Sequence, residues 1–356
     1  MIIKVKQLRG EHMRLLFLAL YLLASINSTR PAGAQHFYTG KTINLIVGTE
    51  VGGGYDIYGR AVARHIARHI PGKPLVIVQN MPGAGSAKAA EYLYTLAPKD
   101  GTAIGLIFPG MVVEPLMEPG KFRFDPTKFE YLGTADSGAR LCITHKSSKI
   151  KTFDDALKIP SMFGGSAPGS STTDYAQLFV NLAGAKMRIV NGYKSTVDTV
   201  LAAERGEIDG LCGYDSSSFR AQKPDWFNTT EAQMIVHASI EPFPELISLG
   251  VPHIWKYISG QNRKIAEVVL AQQEFHRPFL APPGVNPERL TILKSTFMST
   301  MSDLEFLEDA KMMKLTIAPK DAQTVSELVK KMYASPPDLV QKVMRALKPN
   351  LNSPDL

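Results

Sequence analysis

Apolar and polar positions along residues 42–108 follow a pattern typical of strands that alternate with helices. A β-rich apolar run at residues 43–47 leads into three glycines at 52–54. Residues 56–70 then show helical periodicity with apolar side chains on one face, which predicts an amphipathic helix lying on a sheet. The unit repeats, with strands expected at 75–78 and 103–108 and a helix at 87–96. Strands and helices that alternate in this way predict a mainly parallel α/β sheet.

A second α/β series follows a strand expected at residues 141–144, which we interpret as a crossing between two lobes. Its further elements are strands at 161–165, 187–190 and 208–212, and helices that run to 183 and over 197–205. Another strand is expected at 277–281, after which the chain is mostly helical. We therefore predict a hinged two-lobed α/β fold that holds its ligand between the lobes, with residues 35–140 and 276–356 in lobe 1 and 141–275 in lobe 2.

The first 34 residues have the composition of an export signal. Basic residues precede an apolar stretch at 15–26, and Ala32-Gly33-Ala34 forms a small-residue cleavage site. We expect cleavage after about Ala34 and a periplasmic mature protein. Twelve apolar residues are short for a membrane span, and the alternative of a retained anchor is the less favoured one.

Charge and cysteine content narrow the function classes. The formal charge is +7, of which the leader carries +4, so the remainder has a small excess and no dense basic run. Nucleic-acid binding is therefore not expected. Cys142 and Cys212 are the only cysteines; in an exported chain they either pair or remain as buried thiols, and the sequence leaves both open.

The glycine-rich segment at residues 51–56 has the strongest chemical character in the sequence. Gly52, Gly53 and Gly54 allow close approach of the backbone, and Tyr55 and Asp56 open the following helix. The free N–H groups of a helix start favour an anion. The segment completes neither the P-loop nor the dinucleotide fingerprint, because no Gly-Lys-Ser/Thr and no third glycine follow. We interpret it as a carboxylate-binding loop; a tight turn without a ligand is the alternative.

A counterpart in the second lobe contains Ser166, Gly169, Ser170 and Ser171 before the next helix. Hydroxyls and amides there suit a carboxylate, although a serine that only caps the helix gives the same pattern. Paired with the first loop, it predicts a two-sided clamp.

Other candidate side chains carry weaker signals. Tyr193 follows a strand and either contacts a ligand or lies in a plain loop, and Asp215 either binds a ligand or caps the next segment. His65 and His69 lack a third metal ligand, so we expect no metal and no cofactor. No Gly-x-Ser-x-Gly elbow or convincing Ser/His/Asp set is present, and we do not expect an enzyme.

In order and spacing, the motifs resemble the tripartite tricarboxylate transporter substrate-binding family, also called Bug receptors, over about residues 37–347. The motifs that carry the resemblance are Gly52-Gly53-x-x-Asp56-x-x-x-Arg60, Asn80-x-Pro82-Gly83-Ala84-Gly85, Asp100-Gly101-Thr102, the turn at 166–171, Gly192-Tyr193-Lys194, Gly206-Glu207-Ile208-Asp209-Gly210 and Ala281-Pro282-Pro283-Gly284.

The resemblance implies a periplasmic-binding-protein-like Venus flytrap fold. Such a receptor closes on a small carboxylate-type solute and delivers it to the membrane permease subunits of a tripartite transporter; a ligand-sensing role beside a membrane sensor kinase is the alternative. It further implies that the loops at 52–56 and 166–171 line the cleft. We expect a monomer. Val51 replaces a proline usual in the family, and Glu50 adds a negative charge, so the solute need not be a tricarboxylate.

Overall fold

The computed structural model describes residues 37–166, 169–228 and 230–349; the predicted export signal lies outside them. Two sheets are built from eleven strands, which are β1 (Thr42–Val47), β2 (Leu75–Asn80), β3 (Ala103–Leu106), β4 (Glu130–Thr134), β5 (Arg140–His145), β6 (Ser161–Gly164), β7 (Met187–Val190), β8 (Gly210–Asp215), β9 (Ala232–Ala238), β10 (Pro278–Ala281) and β11 (Lys320–Asp321).

The α-helices flank these sheets. They are α1 (Gly54–Ile66), α2 (Ala87–Thr95), α3 (Gly110–Met117), α4 (Phe153–Ala156), α5 (Ser171–Ala183), α6 (Thr196–Glu204), α7 (Ser216–Gln222), α8 (Pro224–Asn228), α9 (Pro244–Ser248), α10 (Gly260–Leu270), α11 (Pro287–Met301), α12 (Leu304–Met312), α13 (Ala322–Tyr333) and α14 (Pro337–Leu347). No helix of the described residues is both long and apolar enough to cross a bilayer.

Each sheet is mixed in direction. The first has the order β11-β4-β10-β3-β1-β2, in which β1, β2 and β3 are parallel and β10 runs against both of its neighbours. The second has the order β7-β6-β8-β5-β9, with β5 antiparallel to β8 and β9. The predicted two-lobed α/β fold is confirmed. The antiparallel strand β5 carries the chain into the second sheet, and β10 carries it back into the first.

The core of the first lobe explains its first strand and helix. Ile43 and Leu45 of β1 are fully buried on the face that α1 covers with Val62 and Ile66, and Ile46 is buried on the opposite face of the sheet. Burying a large aliphatic side chain stabilises the fold by roughly 1.5–3 kcal/mol. The apolar face of α1 that the sequence predicted is therefore the face that packs against the sheet.

Two short segments carry the chain between the sheets. Residues 135–139 connect β4 to β5, and the segment that ends at Arg277 leads back into β10. The last helix, α14, packs against α5 and α10 and also against α3 of the first lobe. The exact domain limits stay a prediction, because this helix contacts elements on both sides.

A disulfide joins Cys142 and Cys212 inside the second lobe. The two residues lie on the neighbouring antiparallel strands β5 and β8, and both are fully buried. Of the two possibilities that the sequence left open, the structure therefore has the paired one.

Candidate functional site

The loop between β1 and α1 is fastened by Asp56. Its carboxylate accepts hydrogen bonds from the Gly52 N–H (2.9 Å), from Nε of Arg60 (3.0 Å) and from Nδ2 of Asn80 (2.9 Å). Burial alone would raise the pKa of Asp56, but these bonds hold it below its usual value. Gly52 has φ +83°, which favours glycine, and Val51 beside it is 69% exposed. Asp56 thus shapes the loop, and its direct contact with a ligand stays a prediction.

The start of α1 has no side-chain cap. Gly53 occupies the N-cap position with extended backbone, and no side chain of the described residues accepts from the first amides of the helix. Uncapped N–H groups at a helix start carry roughly half a positive charge. The loop therefore offers its amides to an external anion.

This helix start faces the second lobe. A side chain added at Gly54 would meet Oγ of Ser218 at 2.9 Å and Nη2 of Arg277 at 3.4 Å. Tyr55 donates its hydroxyl hydrogen to the backbone oxygen of His276 (2.9 Å). The predicted loop is thus placed at the junction of the lobes and close to a buried guanidinium.

Arg277 is the main polar residue that the sequence reasoning missed. Its guanidinium lies 4.1 Å from the ring centre of Tyr55 and 4.8 Å from that of Tyr58, and Nη2 donates to Oδ1 of Asp215 (3.2 Å) and to Oγ of Ser218 (3.1 Å). It is 1% exposed. Arg277 therefore connects the hinge with both lobes. In the sequence it could have been noticed as a charged residue that directly precedes a buried apolar strand.

Asp215 caps helix α7. Its Oδ1 accepts from the backbone N–H of Ser218 (2.8 Å) and from the hydroxyl of Ser217 (2.7 Å), and the carboxylate is buried beside Arg277. Burial opposes its ionisation, yet the cationic groups around it lower the pKa. The capping alternative is what the structure shows, and direct ligand contact by Asp215 stays a prediction.

Asp136, Asp215 and His276 form a fully buried cluster at the hinge, with one possible ligand atom of each within 4.8 Å of the others. Burial and the charge of Asp215 raise the pKa of Asp136 to about 7. Arg277 already supplies a cation at this point, and the Tyr58 hydroxyl donates to Asp136 (3.3 Å). The cluster is therefore suited to stabilise the packing of the two lobes at the hinge. A metal cation bound there would compete with the guanidinium of Arg277 for the carboxylate of Asp215.

The turn before α5 uses most of its polar groups internally. The Ser166 N–H donates to Oγ1 of Thr172 (3.1 Å), the Gly169 N–H donates to Oδ1 of Asp174 (3.0 Å), and Ser170 caps the helix. Ser171 is the first residue of α5 and is half-buried. The two helix starts of the predicted clamp are thus unlike, because only that of α1 lacks a cap.

Tyr193 lies beside this turn. Its backbone N–H donates to the oxygen of Gly165 (3.3 Å), and Gly192 donates to the oxygen of Ser166 (2.9 Å). Burial raises the pKa of its hydroxyl. The structure therefore brings the loops around Ser166 and Tyr193 together at one end of the second sheet, and contact of Tyr193 with a ligand stays a prediction.

A cavity of about 820 Å³ opens next to the turn, between α3 of the first lobe and α5 of the second. Of the predicted site residues only Gly169 lines it, and the loop at 51–56 does not. Glu114 of α3 and Asp174 of α5 face it. The structure thus has two separate polar regions. One is the uncapped helix start at the hinge, and the other is a cavity on the far side of the turn that is lined by both acidic and basic side chains.

His65 and His69, the pair weighed as metal ligands, have carboxylate partners. Nε2 of His65 lies 2.8 Å from Asp309, and Nε2 of His69 lies 2.6 Å from Asp303. These contacts attach the end of α1 to the start and middle of α12, and each imidazole ring therefore contacts an aspartate side chain.

Taken together, the two lobes, the hinge between them and the loops at the ends of their strands define a fold of the periplasmic-binding-protein class. Solved structures share it: a TctC solute-binding protein from Polaromonas (16% identity, TM-score 0.61, 88% of this chain and 100% of that chain), the periplasmic binding protein BugD (18%, 0.65, 87% and 98%) and MatC from Rhodopseudomonas palustris with bound malate (15%, 0.63, 86% and 99%).

A curated protein of Cupriavidus necator, described as the UPF0065 protein in the gbd 5′ region, is 32% identical over 149 residues. That match spans 40% of this chain and 44% of the relative. No family model matches the chain. The resemblance to the TctC and Bug solute-binding proteins is confirmed by these similarities.

Proposed function

We propose that this chain is an extracytoplasmic solute-binding receptor that captures a small carboxylate-type solute between its lobes. The observation that carries the proposal is the uncapped start of α1, where Gly54 lies against Ser218 of the second lobe and against Arg277. Hydrogen bonds to a charged group contribute roughly 1.5–3 kcal/mol each. A few such bonds support micromolar binding, about −8 kcal/mol, after ordering costs.

Related folds support this ligand class. MatC from R. palustris was solved with malate, and another R. palustris protein (19% identity, TM-score 0.66) was solved with adipate. By analogy we assign the loops at 52–56 and 166–171, with Tyr193, to the cleft. We further propose that the protein is periplasmic, that residues 1–34 are removed, and that it delivers the solute to the permease subunits of a tripartite tricarboxylate-type transporter. Binding of a solute does not require a catalytic reaction at the site.

The test is calorimetry of the mature protein, unfolded and refolded to remove any copurified solute, against di- and tricarboxylates, amino acids and aromatic acids. Saturable binding of at least one acid at micromolar concentrations is expected. If the refolded protein has native circular dichroism and binds none of them, it is not a receptor of this class. The mass of the exported protein gives its first residue independently.

A further inference from the structure

The cavity between α3 and α5 is lined by both acidic and basic side chains, and among the described residues none of the basic ones forms an ion pair with Glu114 or Asp174. The basic side chains of the lining are those of Lys121, Lys186, Arg188 and Lys348. Glu114 is 9% exposed, and no hydrogen bond or ion pair to its side chain exists among the described residues. Lys121, one turn beyond α3, is paired with Glu118 at 2.5 Å; its charge acts on Glu114 from a distance, but the two side chains form no ion pair. A buried carboxylate without a partner is costly unless a bound group compensates it.

A second carboxyl group stands opposite on the other lobe. Asp174 accepts only the Gly169 N–H (3.0 Å), and a side chain added at Gly169 would meet Oε1 of Glu114 at 2.6 Å. Burial raises the pKa of Glu114, and burial together with the charge of Glu114 raises that of Asp174 to about 8. Asp174 is therefore mostly protonated at pH 7, because burial and the nearby Glu114 disfavour its ionised form.

The rest of the cavity matches an organic molecule with a polar head. Gln177, 5% exposed, faces the cavity, and its side-chain amide has no hydrogen-bond partner among the described residues. Apolar side chains of Met117, Val180 and Met187 line the wall beyond it. A volume of about 820 Å³ is in the range of small-molecule sites.

We propose that this cavity is a binding site for the primary ammonium group of an organic solute, held between Glu114 and Asp174 with its apolar body against α3 and α5. An ammonium has three donors, which match two carboxylates and the Gln177 amide oxygen. Because one carboxyl group comes from each lobe, the ammonium favours the ionised form of Asp174, bridges the two carboxylates and favours the closed arrangement. The inference rests on the proposed function as far as closure on a solute is concerned.

The test is calorimetry of the mature protein with matched pairs of probes. 6-Aminohexanoate is compared with hexanoate, and primary amines of three to eight carbons, with and without a terminal carboxylate, are compared with their counterparts that lack the amine. At least one amine is expected to bind at least tenfold more tightly than its counterpart. Glu114→Gln and Asp174→Asn each remove that preference, whereas Glu308→Gln, an exposed glutamate on α12, retains it.

Proton release gives a second readout. At pH 7 an ammonium ionises a carboxyl group whose pKa is near 8, so titrations in buffers of different ionisation enthalpy show release of a proton by wild type and none by Asp174→Asn. No amine preference in any pair, or a preference that persists in both variants, overturns the inference.

The two proposals fail in different ways. If acids bind equally well with and without the amine, and if Gly53→Asp abolishes their binding, the receptor function is supported and the ammonium site is contradicted. If Gly53→Asp keeps the amine preference and also binds simple acids as tightly as wild type, the ammonium site is supported and the carboxylate site at the start of α1 is contradicted.

Discussion

Substitution of Gly53 by aspartate places a carboxylate at the uncapped start of α1. The backbone at Gly53 has φ −75° and ψ 166°, which any residue adopts, and the nearest atom to an added Cβ is the Glu50 carbonyl oxygen at 3.6 Å. Aspartate is a preferred N-cap, because its side chain accepts from the free amides of the first turn. The new side chain therefore occupies the position that we assign to the carboxylate of the solute.

The magnitudes separate folding from binding. The cap and the reduced freedom of the unfolded chain are together expected to raise the free energy of unfolding by about 0.5–1 kcal/mol. Loss of two charged hydrogen bonds to the solute costs about 3 kcal/mol, a factor of more than about 100 in Kd. The variant is therefore expected to melt at the wild-type temperature or slightly above it and to bind its solute at least a hundredfold more weakly.

Thermal unfolding and calorimetry with the same solute measure the two effects. Gly53→Asn is the matched control, since it caps the helix without a charge, and its affinity is expected to lie between those of wild type and Gly53→Asp. Unchanged affinity in both variants would refute the reasoning and move the anion site away from α1.

Three further results concern the hinge and the core. Arg277→Ala leaves Asp215 buried without its partner and is expected to lower the free energy of unfolding by about 3–5 kcal/mol in urea titrations; a loss below about 1 kcal/mol contradicts the buried pairing. Replacing both Cys142 and Cys212 by alanine is expected to cost about 4 kcal/mol from the 70-residue separation, and urea midpoints that equal those of wild type contradict a formed disulfide. The pKa of Asp136 is raised to about 7 in the folded chain, so between about pH 4 and 7 its carboxyl group binds more protons in the folded than in the unfolded state, and its contribution to stability falls as the pH rises through that window. From pH 5 to pH 8 the free energy of unfolding of Asp136→Asn is therefore expected to fall less than that of wild type. Parallel pH profiles of the two proteins contradict this.

The sequence predicted those elements whose apolar pattern is local. The run before the glycines became β1, the periodic segment after them became α1, and β7 has the predicted limits of 187–190. The strand expected at 208–212 is observed as Gly210–Asp215, shifted toward the residue that caps α7.

Elements whose stability comes from distant contacts were not predicted. β4 contains a glycine and lies between β10 and β11, strands that follow it in the chain by more than 140 residues, so its short pattern gave no signal of its own. α3 carries Pro115, which interrupts helical periodicity, and its apolar side chains pack into the core.

The same distinction holds for the site. The loop at 51–56 is contiguous, so its glycines and the following helix start were evident from spacing alone. Arg277 meets Asp215 and Ser218 only after the lobes fold together, and only the fold places Glu114 in the cavity, so no local pattern marks either residue. Cys142 and Cys212 likewise become neighbours through the pairing of β5 with β8.

Backbone amide chemical shifts test the central claim most directly. In a titration of isotope-labelled mature protein with the acid found by calorimetry, the account predicts the largest shifts at the amides of Gly53, Gly54 and Tyr55, and smaller ones at the capped start of α5. Saturable binding with no shift at these three amides would contradict a carboxylate held by the start of α1.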